Sequence, residues 1–322
     1  MKTFVIEKND KNQRLDKFIT KSVPLLPQSL LYKYIRLKRI KVNGKRAEIS
    51  TRLCEGDRVD LYINDEFFEK PRENYDFMKA SKNIKIVYED ENIILLDKSV
   101  GLLSHPDENE YNDTLITRLK RYLYEKGEYD PGNESSFAPS LVNRIDRNTG
   151  GIVIAAKTAE ALRILNQKLR DREIEKYYLL VVHGTLKKKE GLLTSRMVKD
   201  EKNNIVSVTD KMLPGSKEMK TKYRVLDEYA GLTLIEAELL TGRTHQIRAQ
   251  FASTGHPLVG DGKYGTNKLN KALGYKKQFL YSYRLRFAFT TPAGELEYLN
   301  NKEFEIKDVW FKNEFRKLTE KE

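Results

Sequence analysis

An aspartate set between two arginines at the mouth of an apolar run is the part of this chain whose residue types could do chemistry. In Asn143-Arg144-Ile145-Asp146-Arg147-Asn148-Thr149-Gly150-Gly151 the Asp146 carboxylate has cationic neighbours, and nearby positive charge keeps an acid ionised. The Asn-Thr-Gly-Gly that follows can turn the backbone tightly before Ile152-Val153-Ile154-Ala155-Ala156 enters a sheet. Asp146 is therefore a candidate nucleophile or base at the rim of a sheet. The plainer alternative is a solvated Arg/Asp loop, since structural ion pairs also perturb acids. Far downstream, Thr241-Gly242-Arg243-Thr244-His245-Gln246-Ile247-Arg248 adds two arginines and a histidine within one short run.

Three more elements lie around these two. They are Lys98-Ser99-Val100-Gly101-Leu102, then Lys176-Tyr177-Tyr178 opening an apolar strand that ends at Gly184, and Gly255-His256-Pro257-Leu258-Val259-Gly260-Asp261 with Tyr264-Gly265. Taken in chain order over residues 98 to 265, the five elements resemble the RluA-type family of RNA pseudouridine synthases. The resemblance implies isomerisation of uridine to pseudouridine: the C1′–N1 bond breaks, the freed uracil rotates and a C1′–C5 bond forms. No net redox change, cofactor or metal is needed. It also implies that Asp146 is the catalytic group, acting at C1′, by removing a ribose proton or by adding to uracil C6. Arg248 would pair with Asp146 and hold it ionised. Tyr178 would stack on the target base. Arg144 would intrude into the RNA stack, because a uridine in a stack must be flipped out and a planar guanidinium can fill the gap. Arg243 is expected to position RNA, and His245 to act as a structural hydrogen bonder. The chain departs from the family pattern at Asn143 (usually His), Gly150 (usually Ser), Ser99 (usually Pro) and Tyr281-Ser282 (usually His-Ala).

The elements that must position these residues read as α+β. Ile84–Val87 with Ile93–Leu96, Ile152–Ala156, Tyr177–Val182, a pair within residues 221–240 turning near Ala230-Gly231, and Phe279–Phe289 are expected strands of a mixed, largely antiparallel sheet. Asp113 or Thr114 can cap a helix carrying Leu115, Leu119 and Leu123, and Thr158 one carrying Leu162, Leu165 and Leu169. Thr244 to Thr254 is expected to be helical, with Ile247, Phe251 and Thr254 on one side and Arg248 beside it. Tyr177, of opposite strand parity to Tyr178, should face the other way. Residues 126–140 form a long loop and Lys187-Lys188-Lys189 a solvated turn.

The N-terminal region has its own pattern. Leu15, Phe18 and Ile19, then Leu30, Leu31, Tyr34 and Ile35, fall at helical spacing, and Ile40–Val42 and Val59–Ile63 read as strands with a hairpin turn at Asn43-Gly44. With Arg14-Leu15-Asp16 this order resembles an S4 RNA-binding domain. The formal net charge is +12, and its distribution matters more than its size. Lys33, Arg36, Lys38, Arg39, Lys41, Lys45 and Arg46 occur between residues 33 and 46 without one acid, which is a footprint for phosphates. Lys33, Arg36 and Arg39 are expected on one helical face, and with Lys41 they are the candidate RNA contacts. The division expected is 1–66 for the S4-like domain, 67–83 for a charged linker and 84–322 for the catalytic domain.

Composition narrows the alternatives. With 322 residues and 39% hydrophobic content the chain can bury one large core and a small second one. One cysteine, Cys54, rules out an internal disulfide, and His105, His183, His245 and His256 show no ligand spacing for zinc. A metal-dependent phosphodiesterase would need a ligand cluster that the sequence lacks. No window suggests a signal peptide or a membrane span. The expectation is a cytoplasmic enzyme on RNA, ribosomal RNA first and transfer RNA second, with no membrane and no obligate protein partner. A non-catalytic RNA-binding or ribosome-assembly factor on the same fold is the alternative, but it would have no need of Asp146, Tyr178 and Arg248 together.

Overall fold

The computed structural model describes residues 1–69, 75–200, 205–265, 270 and 277–319. Near the N-terminus, helices α1 (Leu15–Ser22) and α2 (Gln28–Arg36) bury Leu15, Phe18, Ile19, Leu31, Tyr34 and Ile35. They pack on an antiparallel sheet of β1 (Lys2–Val5), β2 (Ile40–Val42), β3 (Lys45–Arg46) and β4 (Arg58–Leu61), in the order β1-β4-β2-β3. The hairpin between β2 and β3 turns through Asn43 and Gly44 with φ of 51° and 72°, the two positive values that a tight primed turn requires. One expectation is corrected. Arg39 does not share a helical face with Lys33 and Arg36, because α2 ends at Arg36 and Lys38 turns left-handed with φ of 58°. The Arg39 amide then bonds back to the Tyr34 carbonyl and its guanidinium lies 5.6 Å from the Tyr34 ring.

The second, larger sheet contains β5 (Ile86–Glu89), β6 (Ile93–Lys98), β7 (Ser140–Leu141), β8 (Gly150–Ala156), β9 (Ile174–His183) and β10 (Glu190–Asp200). It continues with β11 (Ile205–Thr209), β12 (Lys217–Tyr229), β13 (Leu232–Leu239), β14 (Leu280–Phe287) and β15 (Glu303–Glu305). The order is β11-β10-β12-β13-β9-β14-β8-β6-β5, with β7 added to β8 and β15 to β14. The pairings are antiparallel except the short parallel contact of β8 with β14. The chain is thus α+β with a mixed, largely antiparallel sheet. Every residue of β8 is buried, as a strand covered on both faces must be. On one face Ile94, Leu96, Val153 and Ala155 join the core under α3 (Leu115–Glu125); on the other Ile93, Leu95, Ile152 and Ile154 pack against α4 (Ala159–Arg170).

Thr114 caps α3 in a reciprocal capping box with Thr117, and Thr158 caps α4 by accepting from the Ala161 amide; each such cap stabilises by about 1 kcal/mol. The hairpin of β10 and β11 lies where the sequence gives no clear period. These are outer strands whose exposed positions include Leu192, Val198 and Ile205, so apolar residues do not track the alternation of burial along β10. Of residues 67–83, Phe67 and Phe68 pack on the first core and Phe77 is buried in the second, while 70–74 lie outside the described residues. The two cores meet through polar contacts: Asn9 with Glu134, Gln13 and Asp10 with Ser136, and Arg163 with the Lys11 carbonyl. No helix among the described residues is long and apolar enough to cross a membrane.

Candidate active site

Asp146 stands on the loop between β7 and β8, and that loop is fastened at several points. Asn143, where the family pattern has His, accepts a hydrogen bond from the Ile154 amide at 2.8 Å. Ser104 donates to the Ile145 carbonyl, and the Gly101 amide donates to the Arg147 carbonyl. Beneath lies Lys98, fully buried at the end of β6, donating to the carbonyls of Ser99, Leu102 and Arg147 at 3.1, 2.6 and 3.0 Å. Burial pushes its pKa down to about 7, against the pull of Asp146 and Asp97. The element Lys98-Ser99-Val100-Gly101-Leu102 is therefore a cradle for the loop that carries the acid, a role the sequence reading missed. The available signal was a lysine ending an otherwise apolar strand.

Two departures from the family pattern touch each other. A Cβ built on Gly150 would fall 2.4 Å from the Tyr281 ring, so a serine at position 150 has no room beside a tyrosine at 281. Tyr281 instead donates to Asp97 at 2.6 Å. Gly151 is needed for a different reason: its φ is 111° and a Cβ there would meet the Ser282 carbonyl oxygen at 2.1 Å. This close approach is where β8 runs beside β14.

Arg248 reaches Asp146 from α5 (Gln246–Ser253), with Nη1 2.9 Å from Oδ2. The helix expected over 244–254 is shorter, because His245 adopts φ of 53° just before it. It is also not amphipathic: Gln246 through Phe251 are all buried. Ile247 and Phe251 enter the apolar core, while Gln246 and Gln250 satisfy Thr221, Thr241, Ser195 and neighbouring carbonyls. Buried amides are tolerable only when paired in this way. The other edge of the Arg248 guanidinium is taken by Asp261, through Nε to Oδ2 at 2.7 Å and Nη2 to Oδ1 at 3.0 Å. Burial works against the charge of Arg248, but hydrogen bonds to Asp261 and Asp146 outweigh it and raise its pKa. Asp261 was visible only as part of the fifth motif, an acid at the end of Pro257-Leu258-Val259-Gly260 with nothing local to name its partner.

His245 places Nδ1 2.8 Å from the Tyr264 hydroxyl and Nε2 3.8 Å from Asp146 Oδ2. Burial pushes its pKa down, with Asp146 partly opposing. Tyr178 on β9 is buried and its hydroxyl bonds to Ser282. Burial pushes its pKa up to about 12, so it remains a neutral phenol. Tyr177 faces the other way, into the core that holds Val181 and Phe279, with the Arg284 guanidinium 4.0 Å from its ring.

These side chains meet in a cavity of about 710 Å³ lined by Arg144, Asp146, Tyr178, Arg243, His245 and Arg248, a volume within the range of about 300–1,000 Å³ for ligand sites. The Asp146 side chain keeps 26% of its surface exposed there, against 9% for Arg248, so the carboxylate can be reached while its partner cannot. Arg144 is exposed at the mouth, and Arg243 is exposed with its Nε donating to the Glu218 carbonyl. Lys33, Arg36, Arg39 and Lys41 lie in the N-terminal unit and do not line this cavity. An oriented and accessible carboxylate sharing a cavity with a buried aromatic ring suits chemistry on a planar base rather than on a phosphate.

Comparison with known proteins finds matches for both parts of the chain. Residues 92–253 match the RNA pseudouridylate synthase family, and residues 13–59 match the S4 domain. An uncharacterized RNA pseudouridine synthase of Mycoplasma genitalium is 35% identical over 88% of this chain and 88% of its own. Ribosomal large subunit pseudouridine synthase C of Vibrio vulnificus is 31% identical over 90% of this chain and 89% of its own. The structure of human RNA pseudouridylate synthase domain containing 4 has the same fold, with a TM-score of 0.57 at 18% identity over 73% of this chain and 93% of that one.

Proposed function

The chain belongs to the RNA pseudouridylate synthase family and isomerises uridine to pseudouridine in RNA, and we propose that it does so in structured large-subunit ribosomal RNA, with Asp146 as the catalytic carboxylate. The observation that carries the assignment of Asp146 is its pairing with Arg248 at 2.9 Å in a cavity walled by Tyr178. Arg248 holds the carboxylate through one oxygen, Oδ2, and aims it without consuming its exposed edge. Tyr178 offers a face on which the uracil stacks while its C1′ bond is broken and remade. Arg144, exposed at the mouth, takes the place of the flipped nucleotide in the RNA stack.

Support for ribosomal RNA comes from the relatives named for the ribosomal large subunit, and transfer RNA is the second substrate to examine. The S4 domain supplies affinity through Lys33, Arg36, Arg39 and Lys41, whose phosphate contacts hold the RNA without reading its sequence. The work is done in the cytoplasm, needs no cofactor, and divides between the units 1–66 and 84–322. Two measurements test the proposal. Isomer mapping of ribosomal and transfer RNA from cells with and without the protein should lose pseudouridine at one or a few positions. Tritium release from 5-tritiated uridine in that RNA should vanish for Asp146→Asn and Asp146→Ala while RNA affinity stays near normal, because the carboxylate acts on covalent steps. Turnover retained in either variant removes Asp146 from the reaction.

A further inference from the structure

One wall of the cavity is cationic and has no part in the assignments above. Arg170 ends α4 and Arg172 follows it in a left-handed turn with φ of 63°, a conformation uncommon for a residue with a side chain and worth explaining where it borders a site. Lys176 stands two residues before Tyr178 on β9 and so on the same face of the strand. All three line the cavity that holds Asp146. Among the described residues no carboxylate answers Lys176, and burial alone pushes its pKa down. Among the described residues the Arg170 guanidinium bonds only to the neutral Gln167 amide.

Glu175 and Glu238 also border the cavity, but among the described residues neither pairs with the three cations. Asp146 is held by Arg248. Glu175 accepts from the Tyr177 hydroxyl and pairs with Arg286. Glu238 stands opposite Tyr177 in the strand pairing and so faces its side of the sheet. A partly buried ammonium without a counter-charge costs free energy that an entering anion would relieve.

We propose that Lys176, with Arg172 and Arg170, forms a phosphate subsite across the cavity from Asp146, which holds a phosphodiester of the RNA strand next to the flipped nucleotide. The inference rests on uridine isomerisation in RNA as argued above. Flipping turns a nucleotide about its own backbone, so the flanking phosphates move with it and need a fixed anchor. An ammonium supplies a point charge and the two guanidinium groups supply planar forks, a combination suited to one phosphodiester. No bond is made or broken at this subsite.

The test uses the full chain and a stem-loop RNA carrying the mapped uridine, together with copies in which single linkages near it are uncharged methylphosphonates. Lys176→Met should weaken binding about tenfold and reduce the slope of log K against log salt by roughly 0.7–0.9, the value of one lost phosphate contact. Lys176→Arg should restore most of both. One methylphosphonate adjacent to the target should weaken wild-type binding yet leave Lys176→Met unaffected, and Arg172→Ala should show a smaller loss at the same linkage. Equal sensitivity of wild type and Lys176→Met at every linkage overturns the subsite, as does full affinity with loss confined to the single-turnover rate at saturating RNA. Should Lys176→Met fail to fold by circular dichroism, Arg172→Ala at its exposed turn decides by the same comparison. Tritium release by the wild type from the unmodified stem-loop separates the two levels: no release indicts the functional reading, and release with unchanged sensitivities indicts the subsite alone.

Discussion

Asp261 grips the guanidinium of Arg248 with both carboxylate oxygens, at 2.7 and 3.0 Å, and leaves Nη1 to Asp146. The fork therefore has its orientation set by a fully buried acid before the exposed acid is engaged, and Asp146 inherits that orientation. Asp261 is itself fixed by the amides of Lys263 and Tyr264.

Asp261→Ala should destabilise the protein by about 3–5 kcal/mol, the usual cost of leaving one partner of a buried ion pair alone. Asp261→Asn keeps the shape and should lose activity mainly in kcat, since this buried side chain offers RNA no surface. Denaturant melts and single-turnover rates check both. A kcat for Asp261→Asn equal to wild type would show that Asp146 does not depend on the orientation of Arg248.

Arg144→Ala should lose most activity on a structured RNA, where unstacking costs a few kcal/mol, and less on a flexible single strand. Arg248→Ala should fail on both, because its partner is Asp146. Lysine at position 144 should rescue poorly, as an ammonium cannot stack like a guanidinium. Single-turnover rates on the two substrates separate the roles, and equal losses for Arg144→Ala on both would place this arginine in support of the site itself.

Replacing Lys33, Arg36, Arg39 and Lys41 together by glutamine should weaken RNA binding and flatten its salt dependence by roughly 0.7–0.9 per lost phosphate contact. The rate at saturating RNA should fall far less, since none of the four lines the cavity. Binding titrations across a salt series provide the check, and an unchanged slope would mean that the block is not the footprint.

His245 gives a pH dependence whose sign follows from its lowered pKa. Between its folded value and the ordinary 6.5 the unfolded chain binds more protons than the native one, so stability falls as pH drops through that window. His245→Gln should lack this part of the acid-side loss. His105 and His183 are shifted the same way by burial and remain in both proteins, so the difference between wild type and variant isolates His245. Denaturant midpoints measured from neutral pH down to below 6.5 test it, and parallel curves would show that His245 titrates as an ordinary imidazole.

Much of this protein is legible from local sequence. Helical spacing marks α1 to α4, with threonine caps on α3 and α4, apolar runs mark β6, β8 and β9, and the alternation of Tyr177 with Tyr178 assigns their faces, because burial acts on residues two, three or four apart. The motifs likewise name Asp146 and Arg248, and the clustering of cations at 33–46 needs no structure to be seen. Tertiary structure decided what depends on contacts between distant residues. Arg248 meets Asp146 across 102 positions and Asp261 across 13, and no local period records either. The left-handed turn at Lys38 removes Arg39 from the face that a helical count would give it. Burial of α5 on all sides hides its role from any search for one apolar stripe, since its glutamines are satisfied by strands far away in the chain. Gly150 and Tyr281 look like two unrelated departures until β8 and β14 lie side by side; then the missing side chain of one is the space occupied by the other, because close packing couples volumes that the sequence keeps apart.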